Sequence, residues 1–373
     1  MPDTANEELL DGYASHAIYV NRLASGLAND MDKHLDKILA SYTSLLYDAG
    51  EVSDKTDDEV NELLGKIYNE INKGYVKSFA DHQESLNDLA DYETDFKDAL
   101  LASVLIPLLL KPNRYTKVQL TKLKRRLKTE PLKYHDDENN SRTLKEWRNS
   151  LAKDERRIIR EAIRDGVKNG LTNRQIMKRY RDSKTYEGQR RDVETTTKTS
   201  TLYYASQSSQ DIELNNIKYI KAYRWLSVID RRTTPRCRAL QGQVWIEGEV
   251  PARPPIHQRC RSVLVPVLRS AEAMGVKRNK VGALAYDKFM GEIPAEPDLT
   301  AQYRKQARSV AGREQVDKIL GKKYAAAVVD GVYNPATKKR VKLSLDEFVG
   351  SDFEQLTLKQ VMENEGLVFK KPK

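Results

Sequence analysis

A chain of 373 residues, 32% charged and 39% apolar, is long for one core and points to two or three domains on a soluble, surface-rich body. Two cysteines argue against a disulfide-stapled scaffold, the opening MPDTANEELL lacks the basic and apolar regions of a signal peptide, and the longest apolar run, 99–110, is interrupted by Pro107 and falls short of the roughly 20 residues that span a membrane. The net charge of +10 conceals an asymmetry: residues 1–100 carry 8 Lys+Arg against 22 Asp+Glu, so the acidic front and basic remainder suit two different partners, one of them anionic.

From Leu10 to Leu46 apolar residues recur in steps of three and four (Leu10, Tyr13, Ala17, Val20, Ala24, Leu27, Met31, Leu35, Ile38, Tyr42, Leu45), which predicts a long amphipathic helix in need of a partner, ended by Asp48-Ala49-Gly50. Thr56 and Glu59 are spaced as a capping box for a second helix through Val60, Leu63, Leu64, Ile67, Ile71, Tyr75 and Phe79. A third is predicted from about Gln83 to Ile106, with Pro107 and Pro112 closing it and the 99–110 run as its buried end. Residues 1–110 thus read as an acidic helical bundle or hairpin.

Over 111–190 the sign reverses. Lys122, Lys124, Arg125, Arg126 and Lys128 crowd one short span, and the polar 135–141 stretch reads as a linker. Helix resumes from Thr143 through Trp147, Leu151, Ile158, Ile159 and Ile163 to Gly166, and Thr172 with Gln175 caps another short one. This helix–glycine–helix pattern, with Arg174, Lys178, Arg179 and Arg181, has the outline of a helix-turn-helix. Clustered positive charge of this kind serves equally as a non-specific phosphate contact or as solvated surface. A Thr- and Ser-rich helix is predicted from Val193 to Asn215.

The residues from 218 to 267 differ from everything around them. Strands are predicted at Lys218–Ile229, Val244–Ile246 and Ser262–Val267. Asp230 is placed to accept the backbone amides of the turn that follows, Cys237–Leu240 suits one helical turn closed by Gly242, and Pro251, Pro254 and Pro255 stiffen a loop presenting His257. His257 and Cys260 have the spacing of a zinc knuckle, with Cys237 as a third ligand and Asp230 as a fourth. Three readings stay open: small buried cysteines beside a hydrogen-bonded histidine, a Cys237–Cys260 disulfide, and a structural zinc ion. Cys237, His257 and Asp230 also name a nucleophile, a base and an orienter, but no nucleophile-elbow, phosphate-loop or paired-carboxylate pattern accompanies them.

The order Trp225…Asp230-x-Arg232-Thr233-x3-Cys237-x2-Leu240-x-Gly242, then Pro254-Pro255-x-His257-x2-Cys260-Arg261, resembles the phage Mu F-like minor capsid and head morphogenesis proteins of tailed bacteriophages. Glu194–Thr199 stands where relatives carry an Arg-Thr-Glu element, and Thr234 and Ser262 stand where some carry further cysteines. Ile319–Lys322 and Leu343–Glu347 are similar to the family's C-terminal ending. The resemblance implies a non-enzymatic minor head protein of the virion, in the capsid interior near the portal and in the host cytoplasm during assembly. Its implied partners are the portal protein, a capsid or scaffold protein, and double-stranded DNA bound without sequence preference, with several copies per portal vertex. It also implies that Trp225, Asp230, Arg232, Thr233, Gly242, Pro255 and Arg261 are structural positions of the family motif. A zinc-dependent nuclease or hydrolase centred on Asp230, Cys237, His257 and Cys260 is the competing class, and a DNA-binding regulator using the 155–181 helices a third.

The expected fold is α+β: an elongated, mainly helical body of 1–110 and a basic helical 111–190, a Mu F-like core at 191–268 with its β-containing part at 218–268, and a mixed, partly loose 269–373 extension. In that extension a helix is predicted from about Leu299 to Leu320, with Tyr324–Val332 docking on the core.

Overall fold

The computed structural model describes residues 4–106, 116–133, 141–230, 232–276, 303–305, 307–348 and 356–369. Helix α1 (Ala5–Asp48) begins at a capping box between Thr4 and Glu7 and buries Leu9, Tyr13, Ala17, Val20, Ala24, Met31, Leu35, Ile38 and Tyr42 along one stripe. At positions flanking that stripe the burial falls on Leu9, Ala28 and Leu46, leaving Leu10, Leu27 and Leu45 half-buried. The turn after it leads to α2 (Asp57–Leu105), which runs back antiparallel along α1. Two glycines permit the close approach: a Cβ on Gly12 would lie 2.6 Å from Leu100, and one on Gly74 2.3 Å from Ile38.

The two helices expected from Thr56 and from Gln83 are one helix of 49 residues. Its stripe passes from Phe79 to Leu86 through His82, a polar residue that breaks the apolar spacing in the sequence but is buried, with a ring nitrogen 2.9 Å from Ser200 Oγ. No proline or glycine lies between Phe79 and Leu86, so nothing stops the hydrogen-bond ladder there. The predicted proline stop at Pro107 and Pro112 and most of the 135–141 linker lie outside the described residues.

A short helix, α3 (Leu120–Thr129), lies against α2 through Leu123 and Leu127. Helices α4 (Leu144–Lys168) and α5 (Asn173–Arg181) form a tight hairpin, α5 opened by the Thr172–Gln175 capping box its sequence predicts and α4 by one between Thr143 and Glu146. Gly166 permits that hairpin, since a Cβ there would sit 2.3 Å from Ile176. Helix α6 (Lys184–Asn215) starts nine residues before the expected Val193, capped by Ser183, and packs along both α1 and α2. Its contact face is small and polar: Thr197, Ser200, Thr201 and Ser208 are fully enclosed. The hydroxyls of Thr196, Thr197 and Thr201 bond carbonyls one turn back, which satisfies them inside the bundle. One apolar core runs continuously through α1–α6.

Strands β1 (Ile220–Ser227), β2 (Val244–Ile246) and β3 (Ser262–Leu268) form an antiparallel sheet in the order β2-β1-β3, with Trp225 opposite Leu264 and Tyr223 opposite Trp245. Between β1 and β2 lies α7 (Pro235–Ala239), a single turn capped by Thr234. The sheet's core is completed by both ends of the helical hairpin, Leu9 and Tyr13 from α1 and Leu101, Val104 and Leu105 from α2, and Asn6 Oδ1 accepts the Leu268 amide at 2.9 Å. The C-terminal part holds α8 (Val310–Leu320), α9 (Lys322–Ala325), the hairpin of β4 (Val332–Asn334) and β5 (Lys339–Val341), and α10 (Leu358–Asn364). Ala325, Ala327, Val328 and Val332 build a third core with Leu343, Leu345 and Phe348, which meets the 191–268 core through Ala239 of α7. The fold is mainly helical α+β with small antiparallel sheets.

Candidate functional site

The turn after β1 is organised by Asp230. Its carboxylate accepts Arg261 through both guanidinium nitrogens, at 2.7 and 2.5 Å, and the Arg232 amide at 2.7 Å. The paired Arg261 holds this carboxyl well below the usual carboxylate range, over the opposing effect of partial burial. Thr233 Oγ1 donates to the Val228 carbonyl at 2.6 Å and accepts the Asp230 amide, and Arg238 donates to the Asp230 carbonyl at 2.8 Å. Behind this turn Trp225 is fully enclosed, its indole N–H donating to Ser227 Oγ at 2.9 Å and its ring meeting Trp245 edge-on at 6.2 Å. Gly242 adopts a left-handed φ of 80° and donates its amide back to the Trp225 carbonyl. Pro255 follows Pro254 through a cis peptide bond and is buried.

Cys237 from α7 meets His257 and Cys260 from the loop before β3. The two sulfurs and one imidazole nitrogen all lie within 4.8 Å of one another, and Cys237 Sγ is 3.2 Å from His257 Nε2. Both cysteines are free and buried, whereas His257 is half-exposed. His257 Nδ1 lies 2.7 Å from the Gln258 carbonyl, which only accepts, so Nδ1 carries a proton and Nε2 is the nitrogen that faces the sulfurs. Hydrogen bonding to Cys260, with burial, raises the Cys237 thiol. Burial would also raise Cys260, but its contacts with Cys237 and His257 outweigh burial and lower it. Asp230 stands apart from this cluster. Its carboxylate serves Arg261 and the turn, and the imidazole is oriented by Gln258, so the nucleophile–base–orienter arrangement drawn from the sequence does not form with Asp230 as orienter.

The basic candidates divide into two sets. On α3, Lys124 is held by Asp91 at 2.5 Å and Arg126 by Asp211 at 2.6 Å, while Lys122, Arg125 and Lys128 are exposed. On α5 the inward face is Asn173, Ile176, Met177 and Tyr180, so Arg174, Lys178 and Arg181, at intervals of four and three, form one exposed stripe. Arg179 lies beside them, 3.9 Å from Asp165.

Sequence reasoning missed the polar groups inside. Glu213 of α6 accepts Tyr13 of α1 at 3.0 Å and Ser209 at 3.1 Å, with Arg253 from the loop after β2 at 3.5 Å. Nearby, burial lowers the Lys97 ammonium to about 8 against the pull of Glu93 and Glu213, and it stands 3.4 Å from the centre of the Tyr13 ring. These groups line a cavity at the junction of α1, α2, α6 and the proline loop. In the sequence these are ordinary polar residues of helices and of one loop, and only the position of Tyr13 in the α1 stripe hinted at burial.

Residues 157–265 match the family model described as phage Mu protein F like protein. The match starts within α4, takes in α5, α6, the sheet and the Cys–His–Cys cluster, and ends before the segments at 319–322 and 343–347. The chain matches no curated protein and no solved structure. Over residues 157–265, from within α4 into β3, the chain is similar to the phage Mu protein F like family.

Proposed function

We propose that the protein is a structural, non-enzymatic component of phage head morphogenesis, placed at the portal vertex in several copies. In this reading its acidic α1–α2 hairpin meets portal or shell protein and its basic helices touch packaged double-stranded DNA. The observation that carries it is the family match over 157–265, which contains the exposed Arg174–Lys178–Arg181 stripe. Three cations on one face of a helix, beside Arg179, suit a phosphate backbone without base readout, because phosphate contact needs only clustered positive charge. Lys122, Arg125 and Lys128 on α3 extend the basic character, whereas Lys124 and Arg126 are committed to carboxylates of α2 and α6.

Replacing Arg174, Lys178 and Arg181 together by Glu tests the DNA contact. The salt dependence of binding to duplex DNA should flatten by about 0.9 in log–log slope per lost phosphate contact, equally for unrelated sequences. An unchanged slope would remove α5 from the interface, and a loss confined to one sequence would favour a regulator. The acidic surface is tested by charge instead of deletion, because removing residues 1–110 strips α4 and α6 of their packing partners. Asp30→Lys with Glu62→Lys, at positions 61% and 70% exposed, should reduce incorporation when the protein is co-expressed with portal and capsid proteins of its own phage.

A further inference from the structure

We propose that Cys237, His257 and Cys260 bind one zinc ion through Sγ, Nε2 and Sγ, and that the ion pins the proline loop to α7 and the start of β3. The inference is independent of the head-assembly reading. Tetrahedral zinc, with Zn–S near 2.3 Å and Zn–N near 2.0–2.1 Å, sets its ligand atoms about 3.5–3.8 Å apart. Here all three donor atoms already lie within 4.8 Å of one another, so closing on an ion needs a shift of about 1 Å or less. Two sulfurs and an imidazole select a soft ion over magnesium or calcium.

The imidazole is set for this role. The Gln258 carbonyl fixes the proton on Nδ1 and leaves Nε2 for the metal, the usual way an outer partner orients a ligating histidine. The backbone supports the same geometry: the Cys260 amide bonds the His257 carbonyl at 3.1 Å, and Thr234 Oγ1 accepts the Cys237 amide at 3.3 Å. Arg259 between the two loop ligands takes a left-handed φ of 56°, and its amide donates to Thr199 Oγ1 of α6 at 3.1 Å, which ties the ligand turn to the helical body. Asp230 does not complete the set, since Arg261 holds both of its oxygens. The fourth position falls to water, next to the Thr234 hydroxyl that lies 3.3 Å from Nε2. Two thiolates balance the charge of the ion, so the buried centre is neutral overall.

The full chain, purified under reductant without a metal-chelating resin, should carry one zinc per chain. Cobalt exchanged into it should show thiolate-to-cobalt charge transfer and the d–d bands of a tetrahedral site. His257→Ala, which keeps both sulfurs, should weaken zinc binding by at least about 100-fold. Because a cysteine variant may fail to fold, thiol reactivity of the unmodified chain gives a second reading: both thiols should be slow to react until a chelator removes the ion. A metal-free chain that gains no cobalt spectrum, a Cys237–Cys260 disulfide in protein from a reducing cytoplasm, or zinc content unchanged in His257→Ala would each overturn the proposal.

Discussion

The helical body and the sheet hold together by different means. The body relies on long apolar stripes along α1, α2 and α4, which spread its stability over many side chains. Around the sheet, few residues of each strand are available, and stability is concentrated in Trp225, the Asp230–Arg261 pair and a loop fixed by prolines. Redundancy in one region and concentration in the other mean that a substitution should have very different consequences on the two sides of their junction.

Trp225→Ala is the strongest test of that difference. The side chain is enclosed completely and donates to Ser227 of the same strand, whose hydroxyl in turn bonds the Cys237 carbonyl at 2.9 Å and Ser262 at 2.7 Å. Its loss should cost about 3–5 kcal/mol in denaturant unfolding. The sheet's core also takes Leu9, Tyr13, Leu101, Val104 and Leu105 from α1 and α2. The loss should therefore spread, with near- and far-ultraviolet circular dichroism moving in a single transition. Two separate transitions would show that the junction does not couple the regions.

The body has its own point of concentration at His82, the polar residue inside the α2 stripe. Burial lowers its imidazole to about 4 from an unfolded value of 6.5. Between these values the unfolded chain binds the proton and the folded chain does not, so stability falls as pH drops from about 6.5 to about 4. At about 1.4 kcal/mol per pH unit the full effect is about 3 kcal/mol. Burial raises the carboxyls of Glu155 and Glu213, which gives the opposite slope above their unfolded values. The difference between the wild-type chain and His82→Gln therefore isolates the histidine, and parallel pH curves would refute the assignment.

The same residue explains what could be read in advance. Apolar spacing located α1, the start of α2, and α4 from Thr143, and capping residues placed helix starts at Thr56 and Thr172, because these signals are local. The break assumed at Gln83 failed because His82 is satisfied by Ser200, 118 residues away, and no local pattern announces such a partner. The early start of α6 was hidden for a related reason, since its polar residues bury small hydroxyls against neighbouring helices instead of showing an apolar stripe. In the sheet region the turn and ligand residues stood out through their types and spacing, but the commitment of Asp230 to Arg261, and of His257 to Gln258, emerges only from the three-dimensional arrangement.

A smaller effect should follow at Asn173, which stands at the start of the basic helix α5 yet is buried. Its Nδ2 donates to the Leu46 and Gly50 carbonyls, both at 2.9 Å, and its Oδ1 accepts the Val52 amide at 3.2 Å. The turn between α1 and α2 is therefore closed by a residue more than a hundred positions away, and α5 is seated against the body by the same contacts. Asn173→Ala leaves three backbone groups without this partner and should cost about 2 kcal/mol, since water can reach part of the site. Asn173→Asp keeps the acceptor but sets a carboxylate oxygen against the Leu46 and Gly50 carbonyls, and should cost at least as much as Asn173→Ala. The exposed stripe of Arg174, Lys178 and Arg181 depends on this seat for its orientation, so hydrogen exchange in α5 should accelerate in Asn173→Ala while α2 stays protected. Equal acceleration in both helices would mean that the body, like the sheet, rests on single side chains.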